Sequence, residues 1–401
     1  MKIKARNLPQ ANYLFVFLMA ALMSLVALSI DTILPAMGYI RQKFEVNLSN
    51  THWILTSVFV GLAVGQIFFG ALSDSIGRKR TAYIGVIIFT MGNFVSFFAS
   101  DYLTFVIGRI VQGFGVAAPR VISQAVIRDV TSGKSLARIN SYVMTVFILV
   151  PVLAPIVGQF IIWVFYWNYI FIALAIYCLI IVFLFGFYIE ETLPTARRFS
   201  MTNIWTAAVE IFSNQITLGA TIVIGFVFGC IVSFLNIAQP LYQNVYGVGD
   251  HFAFYFAGTA AVIGISSLVN AKLVSKVNLN SIISFALLWV FGWSIIFFLA
   301  ITYFDKLSLL GFIVFSLLVF TTFGFLFSNL NAIALEPMAH IAGTASAIIA
   351  TLSNIIAVSI GAISSIYFSE DAIPLITVFV VTSILAIVIM VNLNLFSLRI
   401  R

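Results

Sequence analysis

The chain has 401 residues, of which 62% are hydrophobic and only 8% are charged, and its mean hydropathy is +1.14. A soluble domain has too little interior to cover that much apolar surface, so the composition indicates a membrane protein. The net charge of +7 does not indicate nucleic-acid binding, because the lysines and arginines stand in short loops rather than on one basic face.

Apolar runs long enough to cross a bilayer, which takes about 20 helical residues, recur along the whole sequence. They lie at roughly 11–37, 52–72, 81–99, 103–127, 140–163, 168–189, 214–236, 252–270, 281–303, 307–331, 344–367 and 373–395. We therefore predict an all-α membrane protein with twelve transmembrane helices in two pseudo-symmetric six-helix bundles. The predicted domains are an N-terminal bundle (1–189), a cytoplasmic linker (190–213) and a C-terminal bundle (214–401).

The distribution of lysine and arginine predicts the orientation. One side of the predicted membrane carries fifteen of them: Lys2, Lys4, Arg6, Arg78, Lys79, Arg80, Arg128, Lys134, Arg138, Arg197, Arg198, Lys272, Lys276, Arg399 and Arg401. The other side has only Arg41, Lys43 and Lys306. Because cytoplasmic loops are the basic ones, we expect both termini in the cytoplasm.

Charged residues inside the spans are the first functional candidates, because an ionisable group is costly in lipid. Asp31 is the only carboxylate within a predicted span, and Arg109 and Arg120 are the only basic residues. Asp31 and Arg109 both lie on the order of 10 Å below the outer surface, so they could pair if their helices adjoin. Arg109 and Arg120 are close to three turns apart and share a face, which Gln112 extends.

Two interpretations of Asp31 and Arg109 stay open at this point. One is a static buried pair that only fixes helix packing. The other is a proton site: low dielectric favours the neutral carboxyl, a nearby guanidinium favours the carboxylate, and helix motion changes the balance.

Other polar residues within the spans are weaker candidates for the cavity. They are Gln66, Tyr142, Asn329 and Asn354, and each could equally form hydrogen bonds between helices. The three histidines have no metal-binding spacing, and no Walker A sequence is present, so we expect neither a metal nor another cofactor.

Five motifs carry a resemblance to a known family. "GALSDSIGRKR" (70–80) is similar to the loop signature of the major facilitator superfamily, and "GRIVQGFGVAA" (108–118) resembles its fourth-span motif. "VPVLAPIVGQ" (150–159) resembles its antiporter motif. "SIDTILPAM" (29–37) and "LEPMAHIAGTASA" (335–347) resemble segments of the bicyclomycin/chloramphenicol-resistance (Bcr/CflA) exporters.

The resemblance implies roles for particular residues. It assigns a conformational latch to the loop at 70–80, whose members are Gly70, Asp74, Gly77, Arg78 and Arg80. Asp74 would dock near residues 343–346, and Arg109 would take part in proton coupling. The antiporter motif maps onto Pro151, Pro155 and Gly158. It departs from the family pattern at Val150, Ala154 and Gln159, where glycines are usual.

The function expected from these features is proton-coupled export, by alternating access, of small amphipathic compounds such as antibiotics. One alternative is dedicated export, by the same mechanism, of a single endogenous metabolite such as a siderophore. Proton-coupled import of a nutrient is a weaker alternative, and a non-transporting sensor that only reuses the fold is another. The expected partners are a small-molecule substrate, protons and the lipid bilayer, with no nucleic acid. We expect a monomeric, non-enzymatic, multi-pass protein of the bacterial inner membrane.

Overall fold

The computed structural model describes residues 13–47, 50–131, 133–193, 201–304 and 306–398. All elements in these ranges are helices or helical turns. The helices up to residue 188 are α1 (Tyr13–Asp31), α2 (Met37–Lys43), α3 (Trp53–Ile76), α4 (Arg78–Phe98), α5 (Tyr102–Val130), α6 (Gly133–Val164) and α7 (Tyr169–Tyr188). The remaining helices are α8 (Met201–Ser213), α9 (Gln215–Pro240), α10 (Phe252–Leu273), α11 (Leu279–Phe304), α12 (Leu309–Phe320), α13 (Phe323–Leu335), α14 (Ala342–Ile366) and α15 (Ile373–Asn392).

The described helices other than α8 form twelve candidate membrane crossings. Eleven segments of the described chain are long and apolar enough to cross, but one of them, Leu309–Ile366, has 58 residues. As one helix it would be about 87 Å long, far more than a bilayer core of about 30 Å. It breaks at the turn Glu336–Ile341, where Met338 has non-helical dihedrals and Pro337 lacks an amide hydrogen. Counting it twice gives twelve, so the predicted fold class is confirmed.

The first span is also interrupted. Helix α1 ends at Asp31, a short 3₁₀ turn follows at Leu34–Ala36, and α2 continues the same segment to Lys43. Pro35 in the turn cannot donate a backbone hydrogen bond, which explains why the helix does not run through. The break places Asp31 at a helix end inside the span.

The chain folds into two compact units. One unit comprises residues 1–40 and 57–201, and the other comprises residues 41–56 and 202–401. The boundaries that we predicted at residues 189 and 214 stay a prediction. The predicted linker 190–213 contains helix α8, which we did not predict.

Helix α5 is the centre of the first unit. It packs extensively against α4 and also against α1. Glycines allow its backbone to lie directly against α3 and α4, and those at the closest approaches are Gly61, Gly65, Gly85, Gly92, Gly113 and Gly115. This close packing brings the backbone of α5 into direct contact with its neighbours and so determines where its side chains lie.

Candidate functional site

Arg109 lies at the middle of the first unit and is fully buried. Its Nη2 donates to the backbone oxygen of Ser29 at 3.1 Å, and its Nη1 donates to Oε1 of Gln112. The guanidinium carbon lies 5.8 Å from the ring centroid of Phe171. Arg109 therefore connects its own helix α5 with α1 and α7.

Gln112 holds Arg109 in this position. Its Nε2 donates to Oδ1 of Asn93 at 2.8 Å, and Nδ2 of Asn93 donates to the backbone oxygen of Phe89 at 2.8 Å. Gln112 is 0% exposed and its amide is engaged at both ends. In this arrangement Gln112 orients Arg109, and its role as a substrate contact stays a prediction.

Asp31 does not form a direct ion pair with Arg109, although the sequence allowed such a pair if their helices adjoined. Among the described residues, the side chain of Asp31 makes no ion pair or hydrogen bond, although the residue is only 6% exposed. The guanidinium of Arg109 instead reaches the carbonyl of Ser29, two residues earlier, in the last turn of α1. Carbonyls there lack an intrahelical donor, so they attract the guanidinium. Arg109 thus contacts the helix end that carries Asp31, and a joint role of the two residues in proton coupling stays a prediction.

Gly158 of the antiporter motif packs against the break beside Asp31. A Cβ atom on Gly158 would lie 2.0 Å from the backbone oxygen of Thr32 and 3.2 Å from Cγ of Pro35. Any larger residue would therefore push α6 away from the break. Pro151 and Pro155 lie inside the same helix α6. The motif glycine thus makes a backbone contact with the segment that carries the embedded carboxylate.

Two residues of these segments each carry a polar atom that has no hydrogen-bond partner within the described part of the chain. The atoms are Oγ1 of Thr32 and Oε1 of Gln159, and both residues are buried. Thr32 follows Asp31, and Gln159 follows Gly158 and replaces a glycine of the family pattern. Buried polar atoms without partners are costly, and a functional site is one setting in which they are retained.

The charged loop at 70–80 forms a second cluster. Nε of Arg78 donates to Oδ2 of Asp129 at 2.9 Å, and its Nη2 donates to Oδ1 of Asp129 at 3.3 Å. Arg78 also forms an ion pair with Asp74, one turn earlier. Oγ1 of Thr192 donates to Asp129 at 3.0 Å. The side chains of Arg78 and Asp129 are 7% and 13% exposed, so the bonds between these two residues are shielded from water.

Glu191 completes this cluster, and we did not predict its role. Its carboxylate accepts the backbone amides of Arg78 at 2.9 Å and Lys79 at 3.1 Å, and so caps the start of α4. Gly77 has a φ of +101°, and a Cβ there would lie 2.7 Å from Oε2 of Glu191. Position 77 therefore needs a glycine for two reasons: its φ is positive, and a side chain there would collide with the carboxylate of Glu191 that caps α4.

The ionisation of Glu191 gives the fold a pH dependence. Burial raises the pKa of Glu191, but bonds from the amides of Arg78, Leu193, Lys79 and Thr192 lower it more, leaving it below the usual value. A carboxylate with a lowered pKa stabilises the fold above its unfolded-state pKa, and this contribution is lost as the pH falls through its folded pKa.

We expect Glu191→Gln to destabilise the protein by about 1 kcal/mol at pH 7, as the loss of a helix cap does. The amide has one oxygen where the carboxylate has two, so it cannot accept both backbone donors equally well. The gap from wild type should narrow as the pH falls through the lowered folded-state pKa of Glu191, because the carboxyl of the wild type then becomes protonated as well. Thermal unfolding in detergent over a descending series of pH values measures it, and a gap that stays constant over the series would contradict the capping role.

The other latch residues differ in their surroundings. Gly70 is half-buried, and a Cβ there would meet only Cγ1 of Val121, at 4.0 Å. The side chain of Asp74 is 48% exposed, and Arg80 is exposed. The structure therefore places Gly77 and Arg78 in the cluster and leaves Arg80 at the surface.

The remaining cavity candidates separate into two groups. Asn329 forms reciprocal hydrogen bonds of 3.0 and 3.2 Å with Asn270, which link α13 to α10. Gln66 and Asn354 are buried, and each has one amide atom without a partner among the described residues. Arg120 is half-buried and has no hydrogen bond with these residues either, while Tyr142 is 38% exposed. Asn329 thus connects helices, whereas Gln66, Arg120 and Asn354 retain polar atoms that a ligand could bind.

Comparison with known sequences identifies the family to which these features belong. Residues 19–362 match the Major Facilitator Superfamily. The chain belongs to this superfamily. It is therefore a multi-pass membrane transporter and not an enzyme.

Two named relatives indicate which branch of the superfamily the chain resembles. The chain is 29% identical to a bicyclomycin resistance protein homolog of Haemophilus influenzae, over 98% of this chain and 99% of that protein. It is 26% identical to the multidrug resistance protein MdtL of Vibrio parahaemolyticus, over 60% of this chain and 61% of that protein. The resemblance to the Bcr/CflA branch, inferred from the motifs, is confirmed.

A solved structure supports the fold. The xylose transporter XylE of E. coli, in a partially occluded inward-open conformation, superposes with a TM-score of 0.69 at 17% identity. The match covers 95% of this chain and 98% of XylE. At this identity the likeness concerns the fold alone.

Proposed function

We propose that this transporter is a proton-coupled exporter of small amphipathic compounds that works by alternating access. It resides in the bacterial inner membrane as a monomer, with both termini in the cytoplasm. The observation that carries the proposal is Asp31, a buried carboxylate at a helix end inside the first span. A carboxylate in that setting is by default a functional group.

The position of Asp31 suits a reversible proton site. Burial favours its neutral form, whereas the buried guanidinium of Arg109, bonded two residues away at Ser29, favours its charged form. A small shift of α1 relative to α5 changes the distance between Asp31 and Arg109, and so decides whether burial or the guanidinium has the larger effect on the protonation of Asp31. Proton uptake and release then follow the movement of the helices, as coupling requires.

Contacts around the break transmit this movement. The first span bends between Asp31 and α2, and Gly158 of α6 lies directly on the bend. Displacement of α6 therefore acts on the segment that carries Asp31. The unpartnered oxygens of Thr32 and Gln159 provide hydrogen-bonding positions for a polar group of the substrate or for water.

The antiporter motif and the names of the relatives support the proposed direction and substrate class. Pro155 and Gly158 match the motif of exporters, and the relatives carry the names of bicyclomycin and multidrug resistance proteins. Bicyclomycin is therefore the first compound to test, within a panel of amphipathic antibiotics.

A deletion strain complemented with the wild-type gene tests the export of such compounds. Deletion should raise intracellular accumulation of at least one panel compound, and complementation should reverse the increase. The matched control carries Arg109→Ala, with membrane insertion verified by immunoblot. If all strains accumulate the compounds equally and the medium of the deletion strain lacks one metabolite, the proposal of drug export is wrong. The function would then be dedicated export of that metabolite.

The charged cluster acts in the same cycle by stabilising one of two states. We expect Asp74→Asn to slow transport several-fold while leaving folding intact, because Arg78 keeps its two bonds to Asp129. Initial efflux rates from loaded cells, normalised to inserted protein, measure this effect. If the variant transports at the wild-type rate, the segment 70–80 is an ordinary basic loop and has no latch function.

A further inference from the structure

Helix α8 exposes an apolar surface that its own bundle does not cover. Ala207 and Ile211 are 4% and 0% exposed, so this side of α8 is buried in the protein. Trp205, Val209 and Phe212 are 72%, 49% and 55% exposed. At about 100° per residue, these three lie within about 60° of one another on the helix circumference.

Polar residues occupy a separate side of α8. Thr206 and Ser213 are exposed, and Glu210 is partly exposed. The apolar and polar exposed sides therefore adjoin along the whole helix, as they do in helices that lie at a membrane surface. With 13 residues, α8 is about 20 Å long and too short to cross the bilayer.

The connection to the next span holds α8 at the membrane boundary. Only Asn214 separates α8 from α9, a transmembrane segment. Asn214 has extended dihedrals, and its side chain accepts the amide of Thr217 at 2.9 Å, so one helix ends and the other begins there. Ile216, on the first turn of α9, is 39% exposed, so the apolar surface of the span continues into that of α8.

We propose that α8 lies along the membrane surface, with Trp205, Val209 and Phe212 inserted at the boundary between lipid headgroups and acyl chains. Tryptophan favours that depth, because its ring is apolar and its N–H can bond to the headgroup region. The sequence places Arg197 and Arg198 shortly before α8, a charge that suits anionic headgroups.

The buried residues of α8 set the rotation that this placement needs. Ala207 and Ile211 face the protein, and Oε1 of Glu210 lies 2.9 Å from Nε2 of His340 in the turn between α13 and α14. With these contacts made, Trp205 lies on the outward side of α8. The apolar side therefore faces away from the bundle.

Spin labels on single introduced cysteines test this placement in the full-length protein. Val209→Cys samples the apolar side, and Thr206→Cys on the same helix is the matched control on the polar side. Both native cysteines, Cys178 and Cys230, are buried, and labelled wild type measures their background. The protein is reconstituted into vesicles of equal parts phosphatidylethanolamine and phosphatidylglycerol.

The measured quantity is the ratio of collision rates with oxygen, which concentrates in lipid, and with a water-soluble nickel chelate. We expect this ratio to be several-fold higher at residue 209 than at residue 206, with mobile labels and no dipolar broadening. Equal ratios would contradict the proposal, because the two sides of α8 would then share one environment. Dipolar broadening at residue 209 that disappears on dilution with unlabelled protein would also contradict it, because a second copy would cover the surface.

Discussion

Asp31→Asn should abolish accumulation of substrate against its gradient while leaving downhill substrate movement in place. An asparagine side chain has the size of the protonated aspartic acid but cannot release a proton. The alternating cycle can therefore continue, but a pH gradient can no longer drive it. Asp31 is the only carboxylate that we predicted within a span, so no second embedded carboxyl is expected to replace it.

The matched control for this experiment is Asp101→Asn. Asp101 caps α5, is exposed, and accepts the amide of Thr104 at 2.8 Å, a bond that asparagine also makes. It should transport like the wild type. Full gradient-driven transport by Asp31→Asn in proteoliposomes would show that the proton site lies elsewhere, and Asp31 would then be a packing residue.

Arg109→Ala should lose both transport and stability. The truncation leaves a cavity, removes the donor to the Ser29 carbonyl and frees Gln112, in a region that is fully buried. Loss of one member of a buried charged network costs about 3 kcal/mol. The carboxyl of Asp31 also loses the nearby cation that favours its charged form, so it remains protonated.

Arg109→Lys should recover most of the stability but only part of the transport. Lysine keeps the charge, but an ammonium is a single centre and lacks the planar fork that reaches Ser29 and Gln112 together. Thermal unfolding separates the two effects: the Lys variant should melt near wild type, and the Ala variant well below it. Equal transport by Lys and wild type would show that Arg109 supplies charge alone.

The parts of the fold that were predictable from the sequence are those that a local pattern determines. Apolar runs of sufficient length gave the twelve crossings, because lipid accepts few other structures. Asp31 and Arg109 were found because charged residues rarely occur within spans. Pro35 was also visible, and its missing amide hydrogen is the local cause of the break after Asp31.

The features that could not be predicted depend on contacts between distant segments. Glu191 is 113 residues from the amide of Arg78 that it caps, and nothing near Glu191 in the sequence indicates that contact. Depth along the helices placed Asp31 level with Arg109, but depth does not determine which acceptor a guanidinium reaches. Helix α8 is a different case, because the sequence does contain a local signal for it. Ile204, Ala207 and Ile211 have helical spacing, but the polar residues between them obscure this periodicity.

The most direct test of proton-coupled export is substrate accumulation in proteoliposomes with an acidic lumen, using the compound that the deletion strain identifies. An antiporter exchanges luminal protons for external substrate, so the substrate should concentrate inside and leave when a protonophore and nigericin collapse the gradient. Protein-free vesicles measure passive partitioning. Uptake that depends on the protein but reaches the same level with and without the pH gradient would contradict proton coupling.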